Sequence, residues 1–190
     1  MKKTDFVVRF AGEGGQGLLT SATAFAGAHT QVGYHTQTFA TFPSQIIGGP
    51  TWVQARVSTS EVFSRGDQLD VLVAFNMKAY ETHKGEVRED GIIIYDSGVF
   101  QLDDTVKSLG IPFDRLAKST GNNRAANFVG MGALARLVNI PLKIFEEFNA
   151  NKYSRGRPGD EQIVESNNMA LVLGSAEADK SGFALGHLEP

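Results

Sequence analysis

Phe10-Ala11-Gly12-Glu13-Gly14-Gly15-Gln16-Gly17 follows directly on the run Phe6-Val7-Val8-Arg9. Gly12, Gly14 and Gly17 fit the spacing G-x-G-x-x-G between an expected strand and an expected helix, the context that this motif needs. Glycine reaches positive φ at no steric cost, so such a loop can turn its N–H groups toward one point. The start of the following helix adds partial positive charge, and together they can cradle a phosphate or carboxylate. The alternative is a tight strand-to-helix turn with a close helix–sheet contact. On that reading a Cβ at Gly15 clashes or forces disfavoured backbone angles.

The residues around the loop narrow its ligands. A dinucleotide site of the Rossmann type wants an acid at the end of the second strand. Tyr34–Phe39 is the expected second strand, and Ala40-Thr41-Phe42-Pro43 follows it without one. A P-loop needs Lys and then Ser or Thr after its last glycine, whereas Leu18 and Leu19 stand there. Glu13, inside the loop, repels an anion.

Outward from the loop, strands and helices alternate, which favours an α/β layer fold. The expected strands are Phe6–Ala11, Tyr34–Phe39, a half-exposed Thr51–Ser58, a buried central Val71–Phe75, and Ile92–Tyr95 opened by the turn Glu89-Asp90-Gly91. A short edge strand is expected near Ile111-Pro112-Phe113. The helices are Gln16–His29, whose Leu18, Ala22, Phe25 and Ala26 share one face, then Met77–Lys84, one through Phe128, Met131, Leu134, Ala135 and Val138, one opened by Pro141, and Asp160–Glu177. In the last, Asp160 is a candidate cap and Ile163, Val164, Ala170 and Leu171 point inward. Residues 150–160 read as an exposed, breaker-rich loop. The sum is a single Rossmann-like three-layer α/β domain over residues 1–180, with a mostly parallel sheet and a helical C-terminal part. Residues 181–190 read as a loose tail.

The chain has 190 residues and 42% hydrophobic content, enough for one substantial core. A net charge of −3 leaves no basic footprint for nucleic acid. The absence of cysteine excludes disulfides and any cysteine-ligated iron–sulfur cluster in this chain, and fits a reducing compartment. Asp5 and Arg9 interrupt any leader-like apolar core after Lys2-Lys3. No run approaches ~18 apolar residues, so no membrane span is expected. These features point to a soluble cytoplasmic protein.

No catalytic or metal-binding residue stands out. His29, His35, His83 and His187 lack metal-ligand spacing. Asp70, Asp96 and Asp160 sit at expected element ends, where caps and turns use acids. Asn122-Asn123-Arg124-Ala125-Ala126-Asn127 precedes a helix and suits either an anion at its N-terminus or ordinary capping by Asn. Lys152, Arg155 and Arg157 form a small basic cluster in a loop, open to a phosphate-rich ligand. In the loop 43–50, Ile46 and Ile47 beside Gly48 and Gly49, with Trp52 beyond, suggest either an interaction surface or burial in the domain.

Gly12-Glu13-Gly14-Gly15-Gln16-Gly17 followed by Thr41-Phe42-Pro43-Ser44-Gln45-Ile46-Ile47-Gly48-Gly49-Pro50 resembles the gamma subunit of the 2-oxoacid:ferredoxin (acceptor) oxidoreductases. Asn127-Phe128-Val129-Gly130-Met131-Gly132-Ala133-Leu134 and Asn167-Asn168-Met169-Ala170-Leu171-Val172-Leu173-Gly174 resemble two later helices of that family. The resemblance spans about residues 5 to 175, and Ile47 stands where the family often has Arg. It implies oxidative decarboxylation of a 2-oxoacid, with 2-oxoglutarate favoured, coenzyme A as acyl acceptor, and ferredoxin or a similar electron acceptor. Thiamine diphosphate and the iron–sulfur clusters would sit in alpha, beta and ferredoxin-like delta partners, with no cofactor held by this chain alone. The chain would have a structural or coenzyme A-side role. Gly12, Gly14, Gly15, Gln16, Gly17 and Asn127 are then the candidate cofactor-contacting residues; Ser44, Ile46, Ile47, Gly48 and Gly49 are the candidate interface. The competing reading is a stand-alone nucleotide-binding or regulatory module that uses the glycine loop.

Overall fold

The computed structural model describes residues 2–42, 49–103 and 106–189. In chain order the elements are β1 (Lys2–Lys3), β2 (Asp5–Glu13), α1 (Leu18–Gln31), β3 (His35–Thr41), β4 (Pro50–Ser58), β5 (Leu69–Ala74) and α2 (Met77–His83). A 3-10 turn, Lys84–Glu86, leads into β6 (Val87–Asp96), followed by β7 (Ser108–Ile111), α3 (Phe113–Ser119), α4 (Ala126–Leu137), α5 (Leu142–Tyr153), α6 (Asp160–Lys180) and β8 (His187–Leu188).

The main sheet has six strands in the order β3-β4-β2-β5-β6-β7. β4 runs antiparallel to both of its neighbours, while β2, β5, β6 and β7 are successively parallel. The expected mostly parallel α/β domain is therefore present. Alternation along the strands supplies two faces. Phe6, Val8 and Phe10 with Val53, Ala55, Val57, Val71, Val73, Ile92 and Ile94 join the larger core under α1, α3 and α4. Val7, Ala11, Leu72, Ala74, Ile93 and Tyr95 face the other way, against Ala79 and Tyr80 of α2 and against Phe100.

The C-terminal helices cross closely. A Cβ on Gly132 would lie 2.0 Å from the Leu171 carbonyl oxygen, and one on Gly174 would lie 1.9 Å from that of Val129. Only glycine at both positions lets α4 and α6 approach backbone to backbone. α5 buries Phe145 outright, with Ile144 and Phe148 packed beside it.

Several expectations change. β4 is not half-exposed: it lies inside the sheet, and Gln54 on its supposed solvent face is 1% exposed. The turn Glu89-Asp90-Gly91 is part of β6, because the register with β5 jumps from Leu69↔Val87 to Val71↔Ile92. Gly91 fits this irregularity because a Cβ there would sit 3.0 Å from the carbonyl oxygens of Leu69 and Asp70. Asp70 lies within β5, fully buried, and accepts from Lys3 Nζ (2.7 Å) and Val7 N (2.8 Å). The expected loop 150–160 shortens, since α5 runs to Tyr153. Ile163 is exposed, on the outer side of α6. Residues read as a loose tail are placed against the domain: Leu185 and Leu188 are buried, β8 pairs with β1, and Tyr34 Oη donates to Leu188 O (2.9 Å).

Candidate functional site

In an open α/β sheet, ligands bind beyond the carboxyl ends of the strands, where successive connections diverge to opposite sides. Here the chain leaves β2 toward β3 through α1, and leaves β5 toward β6 through α2, so the divergence lies beyond β2 and β5. The glycine loop occupies that position.

The loop closes mainly on itself. Gln16 folds back so that its Oε1 accepts from Glu13 N (2.7 Å), and Gln16 N donates to Glu13 O (3.3 Å). The same Oε1 fills the space beside Gly12, where a Cβ would lie 2.2 Å away. Gly14 N donates to Gly49 O (3.3 Å). These contacts take up amides that a phosphate cradle would present. Gly15 has φ +96°, and a Cβ added to it would have nothing within 4 Å, so a side chain there meets strain and no clash. Gly17 has φ +76°, and its Cβ would lie 2.7 Å from Asn127 Cγ. Gly17 and Asn127, from opposite halves of the chain, are thus brought together.

Asn127 lies in the first turn of α4, buried, and donates from Nδ2 to Ser21 Oγ of α1 (3.4 Å). No Asn caps this helix: its N-cap is Ala125. Asn122 instead makes a turn, its Oδ1 accepting from Arg124 N (3.0 Å), and its Nδ2 reaches Ser166 Oγ (3.3 Å) and Asn167 Oδ1 (3.0 Å). Asn167 Nδ2 donates to Asn149 Oδ1 (2.9 Å), and Asn149 Nδ2 donates to Val164 O (2.9 Å) and Asn168 Oδ1 (2.7 Å). This relay joins the loop before α4 to α5 and α6. It borders a cleft of about 660 Å³ lined by Gly15, Gly17, Asn123, Arg124, Asn127 and Tyr153, among others. A smaller hollow beside it reaches Gln16, Asp96 and Asp114. Burial pushes the Asp96 carboxyl up, although Gly98 N and Phe113 N both donate to its Oδ1 (2.9 and 3.0 Å).

Of the candidate cofactor-contacting residues, Gly15, Gln16, Gly17 and Asn127 border these hollows, while Gly12 and Gly14 hold the turn. Gly49 is described, with φ +84°, but Ser44, Ile46, Ile47 and Gly48 lie outside the described residues. Asn149 carries no sequence signal: it belongs to the relay because α5 crosses α6. Lys152 lies in the last turn of α5, while Arg155 and Arg157 stay on an exposed loop in which their backbone N–H groups donate to Asp160 Oδ2 (2.6 and 3.0 Å).

A second polar cluster lies on the α2 face and was not legible in the sequence. Arg9 is 1% exposed. Its Nε and Nη2 donate to Gln54 Oε1 (3.0 and 2.6 Å), and its Nη1 donates to Glu86 and to His83 Nδ1 (2.8 Å). Its guanidinium stacks 4.2 Å from the Trp52 ring centroid. The Arg9 bond holds the Glu86 carboxyl below its usual range. Burial holds His83 below its usual value, opposed by Glu86 and aided by the Arg9 charge. Among the described residues no group of three His, Cys, Asp or Glu side chains is arranged to hold a metal ion, and no helix is long and apolar enough to cross a membrane.

Comparison with known proteins places this architecture. Residues 7–177 match the family model described as pyruvate ferredoxin/flavodoxin oxidoreductase. The ketoisovalerate oxidoreductase subunit VorA of Methanothermobacter marburgensis is 31% identical over 92% of this chain and 37% of its own length. The solved 2-oxoglutarate:ferredoxin oxidoreductase from Magnetococcus marinus, with 2-oxoglutarate, coenzyme A and succinyl-CoA bound, superimposes with a TM-score of 0.89 at 32% identity, over 99% of this chain and 33% of that one. The chain thus spans about a third of the length of these two relatives. A relative nearer its own size, the 2-oxoglutarate synthase subunit KorC of Methanocaldococcus jannaschii, is 27% identical over 72% of this chain and 76% of its own length. This chain belongs to the pyruvate ferredoxin/flavodoxin oxidoreductase family.

Proposed function

We propose that the chain is the gamma-type module of a 2-oxoacid:ferredoxin oxidoreductase, which oxidatively decarboxylates a 2-oxoacid with coenzyme A to an acyl-CoA and CO₂. The observation that carries this reading is the family match across residues 7–177, supported by relatives of two sizes, one near this chain's own length and one about two and a half times as long. 2-Oxoglutarate is the favoured substrate, supported by the names of the KorC and Magnetococcus relatives. Alpha, beta and ferredoxin-like delta subunits would be its partners, and the loop 43–50 its contact with them.

The residues present suit some of the implied groups and not others. With no cysteine, the chain has no ligands for an iron–sulfur cluster, so electrons would leave through a partner. One end of coenzyme A suits the amide-lined cleft, which is too small for the whole molecule: Arg124 offers a charged fork for phosphate, and Gly15, Asn123 and Asn127 border the space beside it. When bound, coenzyme A would supply the thiol that accepts the acyl group. This chain's part is to orient the carrier and exclude water along one side. Reconstitution tests the assignment. The chain alone should not reduce an electron acceptor with a 2-oxoacid and coenzyme A, and adding it to its partner subunits should restore that activity. Turnover by the chain alone, or full activity of the partners without it, would refute the reading.

A further inference from the structure

A hollow separate from the amide-lined cleft opens at the ends of β2 and β4 against α2, with a volume of about 260 Å³. Its walls are apolar where Ala11, Pro50, Trp52 and Ala79 face it, and polar where Asn76, Lys78 and His83 do. Three hydrogen-bond donors there are uncommitted.

The first belongs to His83. Arg9 is always cationic and its Nη1 can only donate. Glu86 Oε1 lies 3.1 Å from His83 Nδ1, but the shorter 2.8 Å contact comes from a group that cannot accept, so it sets a lone pair on Nδ1. One Nη1 hydrogen serves His83 and the other serves Glu86. The proton of the neutral ring then sits on Nε2, on the ring edge turned away from Arg9. His83 is 6% exposed, and Nε2 has no partner among the described residues. The second donor belongs to Asn76. Its Oδ1 must face Ala79 N, from which it accepts at 2.8 Å, so its Nδ2 hydrogens are unspent. The third is Lys78 Nζ, which makes no ion pair or hydrogen bond among the described residues. Among the described residues lining the hollow, the one opposing charge is the exposed Glu13 carboxylate.

We infer that this hollow binds the carboxylate of a small, apolar-bodied organic acid, held by His83 Nε2–H, Asn76 Nδ2 and Lys78 Nζ, with its body against Trp52. Surplus donors lining one hollow select an anionic oxygen acceptor, and charge-assisted bonds of this kind are the strong ones. A water occupies ~30 Å³ of liquid, so the volume suits an acid of roughly nine heavy atoms or fewer. The buried Arg9 fixes the tautomer, and the Asn76 cap fixes the amide. These two donors are thus oriented before any ligand arrives, which lowers the entropy lost on binding.

Trp52 is the chain's only tryptophan, so its fluorescence reports this hollow alone. The full-length chain would be titrated with butyrate at pH 7.5 and, in parallel, with butyramide, its uncharged isostere. A saturable Trp52 response to butyrate and none to butyramide is expected. Lys78→Met, a surface change that leaves the core intact, should weaken butyrate by about tenfold, the value of one charge-assisted bond. His83→Phe should weaken it at least as much, and Glu13→Gln should tighten it. No saturable response to butyrate, an equal response to butyramide, or unchanged binding by Lys78→Met would overturn the inference; the last would assign the response to the apolar walls alone. A response confined to peptides bearing an Asp or Glu side chain would overturn it in favour of a partner's carboxylate.

Discussion

At the scale of single residues, the glycine loop separates strain from contact. Gly15 and Gly17 both have left-handed backbones, but only Gly17 has a neighbour where its Cβ would go. Gly15→Ala should therefore cost the left-handed penalty alone, about 1–2 kcal/mol. Gly17→Ala adds displacement of Asn127 and its bond to Ser21, and should cost about 3 kcal/mol or more. Urea unfolding of the two variants checks the order; equal losses would mean that the Gly17–Asn127 contact carries nothing. The two buried histidines give a second prediction. His29 and His83 are both held below their usual value, chiefly by burial. The unfolded chain then binds protons that the folded chain refuses, so stability rises with pH where those protons differ. The protein should lose stability as pH falls from about 6.5 toward the depressed native values, with a limiting slope near 1.4 kcal/mol per pH unit for each histidine. Melting temperatures from pH 7.5 to 5 test this; a flat profile between 6.5 and 5.5 would contradict it.

At the scale of elements, the crossing of α4 and α6 is set by Gly132 and Gly174. A Cβ at either meets backbone, which cannot rotate aside as a side chain can. Gly132→Ala and Gly174→Ala should each cost about 3 kcal/mol or more, at the upper end of overpacking effects. Gly130→Ala is the control. Its Cβ would meet Phe113 and Val73 side-chain atoms at an ordinary 3.4 Å, and the change improves helix propensity by up to ~1 kcal/mol. It should be neutral or stabilising by thermal melts, and a loss as large as that of Gly174→Ala would refute the backbone-contact account. The elements themselves are legible where periodicity is strong: the run Val71–Phe75 and the face Leu18, Ala22, Phe25 are buried as their patterns imply. β4 departs from its pattern's plain meaning because its alternation is real, yet Gln54 and Arg56 are polar for Arg9 and Asp5, not for solvent. The cleft is half legible. Gly17 and Asn127 announce themselves by type and position, whereas Asn149, Arg9 and His83 join their clusters only through packing between elements that local sequence does not encode.

At the scale of the whole molecule, the chain presents an α/β core and an open cleft. Two of its relatives are much longer chains, and one is near its own size. The central claim is that it works as one part of a 2-oxoacid-oxidising assembly. Affinity purification of the tagged chain from its native cell, with mass spectrometry of the co-eluting proteins, tests this directly. The account predicts stoichiometric recovery of the thiamine diphosphate-binding and ferredoxin-like subunits of a 2-oxoacid oxidoreductase. Elution of the chain alone, or with partners of unrelated chemistry only, would contradict it.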